Sequence, residues 1–186
     1  MRTAVTTYYL EMLQPAWLNP SSFTLEGVEI VQARIPCPEL NRFLYTAVGG
    51  DWFWIDRLPW TYEQWSALLS RPGYETWMAL VQGTPAGYFE LDAQANGHVE
   101  LAYFGLLPQF IGQGLGSHLL TAAIERAWQK DASRVWVHTC TLDHPNALEN
   151  YQRRGFQIYK EEVTYEEFPD QSPGPWDGAN KPIMPS

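Results

Sequence analysis

Between Leu107 and Leu120 the chain reads LPQFIGQGLGSHLL: a proline, glycines at 112, 114 and 116, and then the start of an apolar repeat. Alternating glycines do not suit a regular strand or a helix interior, because glycine loses more backbone freedom on ordering than any other residue. The flanks are different. Before the glycines, WMALV (77–81), YFEL (88–91) and HVELAYFGLL (98–107) are short apolar runs parted by QGTPAG and DAQANG, and they read as three antiparallel strands joined by hairpins. After them, Leu115, Leu119, Ala123 and Ala127 recur every four residues, with His118, Thr121, Glu125 and Gln129 on the opposite face, which predicts an amphipathic helix. A strand, a glycine loop and a helix start in that order bring backbone N–H groups and the positive end of the helix dipole close to an anion. Phosphate is the expected guest.

The remaining elements are read in the same way. Thr6 to Leu13 fits either a strand or a short helix, and Val28 to Ile35 fits a strand. A helix is expected from about Glu39 to Val48, closed by Gly49-Gly50. A second begins near Thr61, where T-Y-E-Q places a capping threonine three residues before Gln64. Arg134 to Thr141 reads as a strand, Pro145 to Arg154 as a short helix stopped by Gly155, and Phe156 to Tyr165 as a last strand. Residues 1–167 are expected to form a single domain with an N-terminal extension. Residues 168–186, with five prolines and two glycines, form a tail that reads as extended.

Composition narrows the partners. A formal charge of −9 disfavours nucleic acid, whose affinity comes from Lys and Arg neutralising phosphates, and suits a cationic substrate instead. Cys37 and Cys140 stand far apart without CxxC spacing, so neither a zinc site nor a disulfide framework is indicated, and a reducing, cytoplasmic setting is expected. His98, His118, His138 and His144 fall in four different elements and form no ligand pair, so no metal is expected. No apolar run approaches the roughly 20 residues of a membrane span, so no membrane association is expected.

The glycine loop fits neither common nucleotide fingerprint. GxxxxGK[ST] would need a lysine near Gly116, and GxGxxG would need a βαβ unit, whereas this chain has GxGxG after antiparallel strands. Read with its flanks, LLPQFIGQGLGSHLL resembles the acetyl-CoA signature V-x-P-x-x-[RQ]-G-x-G-[IL]-G-S of the GNAT N-acetyltransferases. DHPNALENYQRRGF resembles their second signature, D-N-P-x-A-x-x-x-Y-x-x-x-G-F. The resemblance covers roughly Trp77 to Phe156; the N-terminal third matches only in its strand, helix, helix order. It implies an α+β fold with a mixed, mostly antiparallel central sheet flanked by helices. It also implies acetyl-CoA as co-substrate and a small-molecule or peptide amine as acceptor. Two positions depart from the pattern: Ile111 replaces the Arg or Gln that opens the loop, and His144 replaces an Asn, so neither is given a side-chain role.

The resemblance also implies a site. Leu106, Gly112, Gln113, Gly114, Leu115, Gly116 and Ser117 would hold the cofactor, with a backbone N–H near Leu106 as oxyanion donor. An alkyl amine with a pKa near that of lysine, about 10.4, is on the order of 0.1% neutral at pH 7, so the reaction needs a base or a desolvating pocket. Glu100 is the first candidate for the base, because alternation would place Glu100, Ala102, Phe104 and Leu106 on one strand face; the other reading is a solvent-facing edge carboxylate, with Glu90 in reserve as base. Tyr151 matches the signature tyrosine that serves the departing sulfur, and a core aromatic on the face it shares with Ala147 is its other reading. Between the early helices, Trp52, Trp54, Trp60, Tyr62 and Trp65 with Asp51 and Asp56 form either an ammonium-attracting acceptor pocket or a helix-hairpin core. An acyl-CoA-binding or regulatory module of the same fold is the alternative to an enzyme, and a homodimer is left open.

Overall fold

A computed structural model describes residues 2–23, 26–169, 172 and 174. Seven strands form one sheet: β1 (Arg2–Met12), β2 (Val28–Ala33), β3 (Tyr74–Val81), β4 (Thr84–Ala93), β5 (His98–Leu106), β6 (Arg134–Cys140) and β7 (Gln157–Glu167). Four helices flank it: α1 (Pro38–Gly49), α2 (Tyr62–Leu69), α3 (Leu115–Trp128) and α4 (Ala147–Arg153). The spatial order is β2-β3-β4-β5-β6-β1-β7, and every pairing is antiparallel except β5 with β6. This is the mixed, mostly antiparallel sheet with flanking helices that the resemblance implied. The first segment, open between strand and helix, is a strand, and it inserts between β6 and β7.

Local chemistry accounts for several boundaries. The β3–β4 hairpin turns on Gln82 and Gly83, both at positive φ, the geometry that matches a two-residue loop to the twist of its strands. At α2 the Thr61 side chain accepts from the Gln64 N–H while the Gln64 side chain accepts from the Thr61 N–H, so the predicted capping box is formed in both directions. The 168–186 tail falls outside the described residues except for Phe168, Pro169, Ser172 and Gly174.

The core lies on the sheet face that carries α3 and α4. Leu10, Met12, Phe89, Leu91, Val99, Leu101, Val135 and Val137 from the strands meet Leu119, Leu120, Ala123, Ile124 and Ala127 of α3, and Tyr151 of α4 joins them. The predicted stripe of α3 is therefore its buried stripe. Thr121, read as lying on the polar face, is nonetheless buried. Residues before β2 cover it, and its Oγ accepts the Ser21 N–H at 3.0 Å.

On the other face, α1 packs Leu44 and Val48 against Tyr88, with Trp54 and Tyr103 alongside. Below them lies a buried polar network. Glu90 of β4 is fully buried and accepts from Arg57 Nη1 (2.7 Å), from Asn41 Nδ2 (2.7 Å) and from the Tyr74 hydroxyl. Arg57 sits among the Trp60, Trp65 and Tyr103 rings, 4.2–5.5 Å from their centroids. Glu90 holds the α1–α2 loop from beneath and does not line the cleft, which removes it as a reserve base. Removing one partner of a buried ion pair strands the other's charge. Glu90→Gln is expected to cost about 3–5 kcal/mol of unfolding free energy, read from urea unfolding followed by tryptophan fluorescence.

Candidate active site

β5 and β6 pair at only three positions, His98 with Arg134, Val99 with Val135 and Glu100 with Trp136. Beyond Glu100 they part, although β5 stays on β4 as far as Leu106 and β6 stays on β1 as far as Cys140. The two facing edges are left without strand partners. The gap opens into a cleft of about 560 Å³, lined on one side by Leu101–Leu106 and on the other by Val137, His138, Cys140, the loop after β6 and residues of α4. Leu107 donates its N–H to Ala86 O at 2.9 Å, toward β4. Strand alternation therefore turns the N–H of Leu106 the other way, into the gap.

The glycine loop sits at the end of β5. Gly112 and Gly114 have φ of +83° and +84°, in the left-handed region that favours glycine. A Cβ on Gly112 would meet nothing within 4 Å, whereas one on Gly114 would fall 2.6 Å from the Phe23 ring. Gly114 is also the N-cap of α3 and has no side chain to accept from the first turn, which leaves N–H groups there for an anion. Leu106, Gly112, Gly114, Gly116 and Ser117 all line the cleft. Gln113 is exposed and turns its amide back onto Gln109 O (2.8 Å), and the Leu115 side chain is buried in the core, so any contact from these two is through the backbone. The loop's positive-φ glycines, the free edges of β5 and β6 and the cleft volume fit a chain of amides ending in a pyrophosphate, as in acetyl-CoA.

Tyr151 lines the same cleft, with its ring between Phe104 (centroids 6.1 Å) and Phe156 (6.0 Å). Burial, with Asp143 adding to it, pushes its phenol well above the usual range and keeps it protonated. Both readings of this residue thus meet in one place, since it is a core aromatic that also faces the cleft.

Glu100 stands elsewhere than strict alternation predicts. The β4–β5 register shifts between Glu90–Tyr103 and Leu91–Leu101, leaving Ala102 as an extra residue. A bulge of this kind flips the alternation. Phe104 and Leu106 share the α3 face with Leu101, while Glu100 falls on the opposite face with Tyr103. Its carboxylate accepts from Gln94 Nε2 at 2.8 Å and lies outside the cleft lining. It comes within 3.6 Å of His138 Nδ1, and His138 does line the cleft.

Three features of the site were not picked out as functional in the sequence. His138 is reached from Glu100 only through the parallel β5–β6 pairing, which no local pattern announces. Asp143, the first residue of the second signature, accepts from Thr139 Oγ1 (2.7 Å), Cys140 N (3.1 Å) and, across the cleft, Trp54 Nε1 (3.2 Å). Its place in the signature was the available signal. Ser21 and Phe23 lie over the start of α3, where Ser21 Oγ meets Ser117 Oγ at 2.9 Å. The aromatic segment between the early helices divides. Trp52, Phe53, Trp54 and Asp56 line the cleft, Trp60 and Trp65 surround Arg57 beneath it, and Tyr62 is exposed. His144 lines the cleft with its ring against Trp52 (5.0 Å). Among the described residues no group of His, Cys, Asp and Glu could hold a metal, and no helix is long and apolar enough to cross a membrane.

A parted parallel strand pair over a glycine loop and a helix start, with a buried tyrosine at the gap, defines an acyltransferase class of site. The model of the acetyltransferase (GNAT) family matches residues 35–156, and the chain belongs to that family. It is similar to the S-alkylcysteine N-acetyltransferase of Bacillus subtilis (strain 168), 36% identical over 62 residues. It is also similar to the mycothiol acetyltransferase of Corynebacterium aurimucosum, 35% identical over 74 residues. These stretches cover 32% and 40% of this chain, and 35% and 23% of the relatives' own lengths. Among solved structures, a GCN5-related N-acetyltransferase from Kribbella flavida superposes with a TM-score of 0.64 at 22% identity, over 93% of this chain and 60% of that one. One from Sphaerobacter thermophilus superposes with a TM-score of 0.66 at 18% identity, over 88% and 51%. At these identities the structures speak for the fold.

Gly116 offers a clean test of the loop. A Cβ there meets only Leu106 Cδ1, at an ordinary 3.6 Å, and the backbone is helical. Gly116→Val is expected to fold normally by circular dichroism and to bind CoA about tenfold or more weakly by titration calorimetry, because the new methyls stand where the anion must approach. Unchanged affinity would remove the loop from the binding site.

Proposed function

We propose that this protein moves the acetyl group of acetyl-CoA to a primary amine of a small molecule or peptide. The observation that carries the reading is the parting of β5 from β6, with Tyr151 on one side of the opening and the Glu100–His138 pair on the other. Tyr151 packs with Phe104 on the α3 face, where the glycine loop would hold the pyrophosphate. Glu100, His138 and the aromatic wall lie toward the α1 face, from which the acceptor would enter. One proton-handling group would thus face the incoming amine and the other the departing sulfur.

In this reading the amine, having given up a proton, attacks the thioester carbonyl. A carbon–nitrogen bond forms, the carbon–sulfur bond breaks and the sulfur leaves as a thiolate. The Leu106 N–H donates to the carbonyl oxygen as it gains charge, a role typically worth about 3 kcal/mol. Glu100 takes the proton that the ammonium gives up, with His138 linking it to the cleft, and the second proton on nitrogen, shed as the tetrahedral intermediate collapses, restores the Tyr151 phenol. The neutral Tyr151 phenol donates to the departing sulfur. Transfer is direct: burial, with Asp143 adding to it, pushes the Cys140 thiol up, away from the thiolate that a covalent acyl-enzyme would need. The names of the two relatives, one of them an N-acetyltransferase, support an amine acceptor.

Thiol release from acetyl-CoA with a panel of primary amines tests the reading. CoA binding without any turnover would support the non-catalytic module instead. Tyr151→Phe keeps the ring in its packing and is expected to lower kcat by about 10²-fold with CoA binding nearly unchanged. Glu100→Gln is expected to lower kcat and to remove the acidic limb of the kcat/KM profile; if that limb persists in Glu100→Gln but vanishes in His138→Asn, the base is His138 alone.

A further inference from the structure

Carboxylates dominate the charged groups of the cleft. Among the described residues lining the cleft, the fixed charges are four carboxylates, Asp56, Asp143, Glu149 and Glu166, against one guanidinium, Arg153. Arg153 is spoken for, because it pairs with Glu149 one turn away on α4, at 2.5 Å. The arginine nearest the aromatic wall, Arg57, lies beneath it with Nη1 on Glu90 and Nη2 on Tyr74, so its fork is used up inside the protein. Carboxylate recognition ordinarily relies on an arginine fork or a lysine. Of the two cleft histidines, His138 faces Glu100, and His144 packs on Trp52 while its Nδ1 accepts the Asn146 N–H.

The walls between these charges are aromatic. Trp52, Phe53, Trp54, Tyr103 and Phe168 line the cleft, with Phe53 and Phe168 edge to face at 5.5 Å and Trp54 and Tyr103 at 4.9 Å. The hydrogen bond from Trp54 to Asp143 crosses the mouth and holds this wall against the loop after β6. Faces of this kind receive an apolar group and attract an ammonium, and the carboxylates add to that attraction.

Resting on the reading of this cleft as an amine acetylation site, we propose that its acceptor is a hydrophobic amine that carries no carboxylate of its own, and that free α-amino acids are rejected by like charge. An ammonium entering along the aromatic wall meets favourable potential all the way to the reacting carbon. A carboxylate on the adjacent carbon meets Asp56, Asp143 or Glu166 with no described cation to receive it, and like-charge juxtaposition of this kind is a strong discriminator.

Matched pairs that differ only in the carboxylate test this on the wild-type protein: 2-phenylethylamine against phenylalanine, and S-benzylcysteamine against S-benzylcysteine, with phenylalaninamide as the neutralised control. The expected result is a kcat/KM about tenfold or more higher for each carboxylate-free amine. Phenylalaninamide should fall near 2-phenylethylamine, and the gap should shrink with added salt. Asp56→Lys, an exposed position, should narrow it further. Equal or better use of the amino acids overturns the proposal. Binding of the same compounds to the CoA-loaded protein, followed by tryptophan fluorescence, separates the two readings. If no amine is acetylated, the transferase reading fails, yet tighter binding of 2-phenylethylamine than of phenylalanine still supports the charge selection. Equal binding, or none by either compound, overturns it.

Discussion

The site depends on two strands that begin as neighbours and do not remain so. β5 and β6 share three residue pairs, and then each keeps only its outer partner. Unpaired backbone groups inside a protein are costly unless something satisfies them. A cleft bounded by two such edges is therefore suited to a ligand that brings its own amides. The divergence begins beside the bulge at Ala102, and the aromatic pair Phe104 and Tyr151 packs on the α3 face of the sheet next to the gap. The glycine loop and the start of α3 inherit their position from the same strand, so the proposed anion site and the proposed acetyl site are set by one backbone course.

The second support is electrostatic and lies under the acceptor wall. Glu90 is committed to Arg57, Asn41 and Tyr74, and Arg57 in turn to the rings of Trp60, Trp65 and Tyr103. A buried pair of this kind contributes little net stability compared with an apolar replacement, but once formed it tolerates few rearrangements. Here it fixes the loop that carries Trp52, Phe53, Trp54 and Asp56. It also turns the arginine nearest the aromatic wall away from the cleft, which leaves carboxylates dominant among the charges there.

The sequence by itself determined most of the elements and the glycine loop, because those signals are local. The capping box at Thr61 and the four-residue repeat of α3 each act over a few residues and are found where the pattern placed them, while the turn read over QGTPAG narrows to Gln82-Gly83 because β4 already begins at Thr84. Only the tertiary structure decided which of these residues face one another. The extra residue at Ala102 turned Glu100 to the face opposite Phe104, since a period of two cannot reveal a bulge. The parallel register of β5 on β6 brought His138 to Glu100 across a crossover of 27 residues, 107–133, longer than the dozen or so that a parallel connection demands. Long-range pairing likewise took Glu90 out of the site and brought Asp143 to Trp54, because charge partners are chosen by the packed sheet and not by the chain's order.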